Sequence, residues 1–294
     1  MGMPEADIEV TDALVARLIE RQHPDLAGPL TLVANGWDNA LYRLGDNWCV
    51  RLPRRRVAVA LILHERRWLP SIATGLGVDI PVPVRAGEPS DEYPWPWSIA
   101  PWFDGAGAAT VPPASRSALV AGLGDFVARM HAPAPQDAPH NPVRGVPLES
   151  RSATVLERLD GGTIPCSDEL RTLWMRLART PRWSGPPLWL HGDLHPANVL
   201  LDSAGRLRAV LDFGDVTAGD PATDLAVAWL TFEPEARAAF RAQVTDATGT
   251  DADTWLRARG WALNFGTAFV AHSEETSPMR AIGDHTLRQV LLEE

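Results

Sequence analysis

A chain of 294 residues, 45% hydrophobic and 22% charged, carries enough apolar material for a large core in one or two lobes. Its formal charge of −10 argues against a nucleic-acid binder, which would present a basic surface, and its longest apolar run, Val57 to Leu63, is too short to cross a bilayer. Cys49 and Cys166 make neither a disulfide framework nor a metal set, and no basic segment followed by an apolar one opens the chain, so a cytoplasmic protein is expected. All 27 basic residues are arginine. Chemistry that calls for a lysine must here use arginine or do without.

Leu14 with Leu18, and Val15 with Ile19, repeat at helical spacing over Thr11 to Arg21, with Thr11 as a cap. Three strands are expected next: Leu30 to Val33, Ala40 to Leu44 and Trp48 to Leu52. A loop from Ala34 joins the first two, and the turn residues Gly45-Asp46-Asn47 join the second pair. A helix over Val57 to Leu69 follows and carries Glu65. Pro81 to Pro101 is dense in proline and aromatic residues, which favours extended edge structure or a connector. Trp97 to Trp102 suits a strand leading out of the first lobe, and Asp104-Gly105-Ala106-Gly107 suits a boundary. Beyond it the pattern turns helical. Ser115 to His131 and Asp168 to Arg179 each carry an apolar stripe, Ala132 to Pro147 is a proline-rich surface loop, and three more helices are expected near 234–246, 252–272 and 279–292. No internal repeat is present. The expected organisation is a small antiparallel sheet with one helix over 1–97, a linker over 98–104, and a larger, mainly helical lobe over 105–294, an α+β bilobal fold.

Between apolar segments lies His191-Gly192-Asp193-Leu194-His195-Pro196-Ala197-Asn198, and fourteen residues past Asn198 comes Asp212, in Leu211-Asp212-Phe213-Gly214. A carboxylate, an amide and a second carboxylate at this spacing suit phosphoryl transfer from a nucleotide. One carboxylate positions an acceptor hydroxyl, while the amide oxygen and the other carboxylate hold Mg²⁺ on the phosphates. The run resembles the catalytic and metal loops of the protein-kinase-like fold. Gly219-Asp220-Pro221 with Asp224-Leu225-Ala226 narrows the resemblance to the aminoglycoside phosphotransferase family of small-molecule kinases. Gly36-Trp37-Asp38-Asn39 with Tyr42-Arg43-Leu44 is similar to that family's nucleotide loop. Val50-Arg51-Leu52-Pro53-Arg54 and His64-Glu65-Arg66-Arg67-Trp68-Leu69-Pro70 look like its phosphate-anchor strand and following helix. The resemblance covers roughly residues 30 to 272 in matching order.

It implies Asp193 as catalytic base and Asn198 and Asp212 as magnesium ligands. It implies a nucleotide held by Gly36 and Asn39, by Arg51 paired with Glu65, and by backbone groups around Ser98 and Ala100. Arg51 stands where such kinases usually carry lysine; its planar fork is longer and bidentate, so the exchange is not conservative. His191 reads as a brace of the loop and His195 as a hydrogen-bonding residue near the site. Asp220 and Asp224 read as fixing local backbone, the latter by sitting early in a helix where its charge suits the dipole. Asp215 carries no assigned role, and Arg54-Arg55-Arg56 reads as a solvated turn.

The implied activity is Mg²⁺-dependent transfer of the γ-phosphate of ATP, or of GTP, to a hydroxyl of a small cationic molecule. An aminoglycoside-type antibiotic is the expected acceptor, which would make this a resistance kinase; within the family a macrolide, a sugar or choline are other acceptors. Acidic side chains such as Asp104, Glu274 and Glu275 would meet its amines, and neither nucleic acid nor a membrane is an expected partner. A pseudokinase whose arginine anchor has abolished catalysis and a metallophosphoesterase are the readings from other classes. The sequence carries no signal for oligomeric state.

Overall fold

In the computed structural model, which describes residues 5–292, Leu14, Val15, Leu18 and Ile19 form the buried face of helix α1 (Asp12–Gln22). Thr11 Oγ1 accepts from the Leu14 N–H at 3.3 Å and so fills the expected cap. The chain then builds β1 (Leu30–Asn35), β2 (Asn39–Leu44), β3 (Trp48–Pro53), helix α2 (Val59–Leu76), β4 (Arg85–Gly87) and β5 (Trp97–Pro101). All strand pairs are antiparallel, in the order β1-β2-β3-β5-β4. The period of a strand puts Ala40, Tyr42 and Leu44 of β2 on one face. There they join the α1 stripe, Val50, Leu52, Tyr93, Trp97 and Ile99 in a single core. Tyr93 is buried and its hydroxyl donates to Pro53 O at 2.6 Å, so its polar end is satisfied.

These residues, up to Asp104 and joined by Asp212–Gly214, form one compact unit; Gly105–Leu211 and Asp215 onward form a second. Two boundaries in the first unit differ from the sequence expectation. The loop from Ala34 shrinks to Gly36–Asp38, because β1 runs on to Asn35 and β2 starts at Asn39. Helix α2 does not stop near Leu69. It passes through the exposed Pro70 to Leu76, which is buried, and closes at Gly77 in a left-handed conformation. Ser98 and Ala100 are residues of β5, the strand expected over Trp97 to Trp102.

The second unit opens with β6 (Ala106–Gly107) and helix α3 (Leu119–Met130), whose Leu119, Leu123, Phe126, Val127 and Met130 are buried on one face. Helix α4 (Ser152–Asp160), which no periodicity announced, precedes α5 (Ser167–Leu177). Four short strands follow: β7 (Leu188–Leu190), β8 (Val199–Leu201), β9 (Leu207–Val210) and β10 (Thr217–Gly219). β10 pairs with β7, and β6-β8-β9 form a three-stranded sheet. Helices α6 (Ala222–Leu225), α7 (Val227–Thr231), α8 (Pro234–Thr248), α9 (Ala252–His272) and α10 (Pro278–Leu291) complete the unit. Most of α9 is buried, with α4, α5, α6 and α10 packed around it. Among the described residues no helix is long and apolar enough to cross a membrane.

Candidate active site

In the sheet unit, Arg51 of β3 is the junction. Its Nη1 donates to Glu65 Oε1 of α2 at 2.6 Å and its Nη2 to Asp212 Oδ1 at 2.9 Å. Arg51 and Glu65 are buried, whereas the Asp212 side chain is 56% exposed and keeps its second oxygen open. Burial works against the Arg51 charge, but Glu65 and Asp212 hold the guanidinium firmly protonated. Burial raises the Glu65 carboxyl above the ordinary carboxylate range, with Arg51 pulling the other way. Asp212 has φ +61°, a left-handed backbone that costs a non-glycine residue free energy and that clusters at functional sites. The structure therefore brings three of the sequence-identified residues, Arg51, Glu65 and Asp212, into direct contact.

Gly36 and Asn39 close the β1–β2 turn, the Gly36 N–H donating to Asn39 O at 2.8 Å. Arg54 Nη1 donates to Gly36 O at 2.8 Å and Arg55 Nη1 to Asp38 at 3.2 Å, so these two arginines brace this turn, while Arg56 is exposed as expected of a solvated turn. Asn39 Oδ1 is buried with no hydrogen-bond partner among the described residues, as is Ser98 Oγ. Backbone pairing distinguishes the two β5 positions. Ser98 lies between Arg51 of β3 and Ala86 of β4, while β4 reaches only as far as Ile99 and leaves Ala100 paired with β3 alone. An orphan acceptor in the turn and a half-paired strand edge at Ala100 are compatible with a nucleotide, whose base hydrogen-bonds to free backbone groups.

In the helical unit, β7 delivers the chain to His191 and the loop that follows. Asp224 lies beneath it, 1% exposed; its Oδ2 accepts from the His191 N–H at 2.7 Å and its Oδ1 from the Gly192 N–H at 2.9 Å. The sequence placed Asp224 at a helix dipole; α6 is a single turn, and the carboxylate instead fixes the loop. Gly192 has φ +86°, and a Cβ there would lie 2.3 Å from Asp215 O, so only glycine fits. His191 is fully buried. Its Nε2 donates to Leu211 O at 2.9 Å while Nδ1 accepts from the Asp193 N–H at 3.2 Å, a single tautomer serving both.

Asp193 emerges from this support with its side chain 24% exposed. His195 Nε2 is 3.3 Å from Oδ2, and Arg144 Nη2 donates to Oδ1 at 3.1 Å. Burial acts to raise the Asp193 carboxyl, but His195 and Arg144 outweigh it and hold the group below the usual carboxylate range. Asn198 Nδ2 donates to Asp193 O at 3.0 Å, which turns its Oδ1 outward as an acceptor. The Leu211 N–H donates to Asn198 O at 2.8 Å, one residue before Asp212 in the chain.

Among the described residues no group of three His, Cys, Asp or Glu side chains can hold a metal. Mg²⁺ takes one or two protein oxygens and fills the rest of its octahedron with water and phosphate. Asn198 Oδ1 and the free oxygen of Asp212 are donors of that kind.

Arg144 was invisible in the sequence. It lies in the segment read as a surface loop, yet it is half-buried because Gly145 (φ +68°) approaches Gly219 so closely that a Cβ on Gly219 would lie 2.2 Å from Gly145 O. Asp220 forms a buried ion pair with Arg257, at 2.7 Å, besides accepting from the Ala222 N–H, so its role extends beyond the local turn. Asp215 Oδ1 accepts from Asn141 Nδ2 at 2.7 Å and thereby ties down the same segment.

The chain is similar to known proteins in sequence and in fold. The sequence model of the "Phosphotransferase enzyme family" matches residues 29–261. The "Uncharacterized protein YcbJ" of Bacillus subtilis (strain 168) is 25% identical over 201 residues; the chain spans 61% of the length of that curated relative, and the match takes in 61% of this chain. Among solved structures, the GDP complex of wild-type aminoglycoside 2'-phosphotransferase-IIIa superposes with a TM-score of 0.68 at 20% identity, covering 96% of this chain and 99% of that one. The macrolide 2'-phosphotransferase MphH of Brachybacterium faecium, as apoenzyme, gives 0.64 at 21% identity, covering 93% and 97%. At such identities the likeness of these structures is one of fold.

Proposed function

Because the chain belongs to the phosphotransferase enzyme family, we propose that it transfers the γ-phosphate of ATP or GTP to a hydroxyl of a small molecule in the cytoplasm, with Mg²⁺. The observation that carries this reading is the setting of Asp193: an ionised, partly exposed carboxylate on a loop whose backbone is fixed by Asp224 and His191. A carboxylate held in this state accepts a hydrogen bond from an acceptor hydroxyl, aims its oxygen in line with the phosphorus and takes the proton as the bond forms. His195 and Arg144 keep it charged and limit its rotation.

Asn198 and Asp212 are the residues that would hold Mg²⁺, which when bound supplies neutralising charge to the phosphates. Arg51 takes the position of the usual lysine. Its fork reaches Glu65 and Asp212 at once, so a charged anchor is retained although the chain has no lysine. That retention favours a working kinase over a pseudokinase. Gly36, Asn39 and Ala100 would contact the nucleotide through backbone and amide groups.

The acceptor expected from the sequence is an aminoglycoside-type antibiotic, in line with the acidic net charge and a fold shared with enzymes of that name; the side chains around Asp193 decide between that acceptor and an anionic one. The test is nucleoside diphosphate release from Mg-ATP and Mg-GTP over a panel of hydroxyl acceptors. Release that needs an acceptor and stops on chelation of Mg²⁺ supports the reading. Nucleotide that neither binds nor turns over in any combination removes it.

A further inference from the structure

Three arginines of the helical unit act on one another, and one of them, Arg144, contacts Asp193. Arg144 lies with its Cζ 4.7 Å above the Phe265 ring, and Arg158 of α4 donates through Nη1 to both the O and Oδ1 of Asn264 at 3.2 Å. Both guanidinium groups therefore rest on consecutive residues of one turn of α9. Arg151 ends the single 3₁₀ turn before α4, seven residues ahead of Arg158 and on the same side of the helical run. The Arg151 side chain makes no hydrogen bond or ion pair with any described residue, and the Nε atoms of Arg144, Arg151 and Arg158 are all buried without a partner among them. His195, 5% exposed, likewise has a buried Nδ1 without one.

So many unanswered guanidinium donors in one place are unusual, because a buried guanidinium N–H that gives up water is normally matched by an acceptor. The positive charges also act on one another. Arg158 is lowered to about 10 by burial and then by Arg151 and Arg144, and Arg151 is lowered by burial and then by Arg144. Two carboxylates bear on the group: Asp193, which also serves His195, and the exposed Glu157, which acts on Arg158. Glu274 and Glu275, expected to meet a cation, are exposed in the turn between α9 and α10. Arginine is the side chain suited to planar, bidentate binding of carboxylate or phosphate. A polycation placed against Asp193 would meet like charge here.

We propose that the acceptor carries an anionic group, carboxylate or phosphate, near its reactive hydroxyl, and that Arg144, Arg151 and Arg158 receive it. This rests on the phosphotransfer reading for the word acceptor, but not for the existence of the anion site. Arg144 links the two functions: one guanidinium nitrogen contacts Asp193 Oδ1, so an anion on the rest of the cluster lies beside the hydroxyl that Asp193 orients.

The test has two arms on the full chain. In the first, inorganic phosphate is titrated calorimetrically with a non-hydrolysable Mg-ATP analogue present, against wild type, Arg151→Gln and Arg151→Lys. Saturable binding weakened on the order of tenfold in Arg151→Gln, equivalent to ~1.4 kcal/mol, and restored in part by Arg151→Lys supports the site. Arg151 is the variant of choice because no described residue depends on it for a hydrogen bond. Binding that is absent, or equal in wild type and Arg151→Gln, overturns the proposal whether or not the protein is a kinase. In the second arm, nucleotide turnover is compared with hydroxy-carboxylates, sugar phosphates and kanamycin as acceptors. Turnover with an anionic acceptor whose KM rises on the order of tenfold in Arg151→Gln supports the inference. Turnover with kanamycin alone overturns it while leaving the phosphotransfer reading intact.

Discussion

Asp224 is the residue on which the loop around Asp193 depends, and its removal has a calculable cost. Its two carboxylate oxygens satisfy two buried N–H groups, of His191 and Gly192, at 2.7 and 2.9 Å. Asp224→Ala leaves both unpaired in a place that is 1% exposed. Each stranded donor costs about 1–3 kcal/mol, so the loss is about 2–6 kcal/mol, out of a total stability of about 5–15 kcal/mol for a domain. Asp224→Asn keeps one acceptor and turns an N–H₂ toward the other donor, so it should fall between wild type and alanine. Urea unfolding followed by tryptophan fluorescence measures the loss, since Trp229 and Trp255 are buried in the same unit. Hydrogen exchange at the His191 and Gly192 amides measures it locally, and both should lose protection. Stability within about 1 kcal/mol of wild type, with those amides still protected, would show that the loop is held by something other than Asp224.

Other substitutions probe the remaining parts. Arg51→Ala strands Glu65 as a buried unpaired carboxylate, at a cost of about 3–5 kcal/mol, and should also raise the nucleotide KM and lower turnover; unchanged nucleotide kinetics would place the phosphate anchor elsewhere. Gly192→Ala requires φ +86° from a residue with a Cβ and a contact 2.3 Å from Asp215 O, so reduced stability and lost transfer are expected, measured by thermal melting and turnover. His285, 3% exposed, is lowered to about 4 by burial, which outweighs the pull of Glu233. Below its ordinary value of 6.5 the unfolded chain takes up a proton that the folded chain refuses. Stability should therefore fall as pH drops from about 6.5 to about 4, by ~3 kcal/mol, and His285→Gln should flatten that slope in pH-dependent melting curves.

The parts legible in the sequence are those set by short-range pattern. The α1 stripe, the β2 alternation and the span of α9 follow from apolar spacing, and the Asp193–Asn198 loop follows from composition at fixed intervals. Local rules misjudged helix α2, because Pro70 lies where its ring meets solvent and the next buried side chain, Leu76, rewards continuation. Long-range pairing was hidden. Arg144 meets Asp193 across 49 residues, and nothing in its neighbourhood distinguishes it from other loop arginines. Asp224 sat within a recognised motif, but its work on the backbone of His191 and Gly192 needs the fold to be seen.

The central claim is that Asp193 orients an acceptor hydroxyl for in-line attack on a γ-phosphate. It is tested most directly by following label from γ-³²P nucleotide with Mg²⁺ and an acceptor panel, in wild type and in Asp193→Ala. Label should pass to an acceptor in wild type, while Asp193→Ala binds nucleotide with similar affinity and transfers at least about a hundredfold more slowly, the scale of a lost general base. Near-wild-type transfer by Asp193→Ala would contradict it.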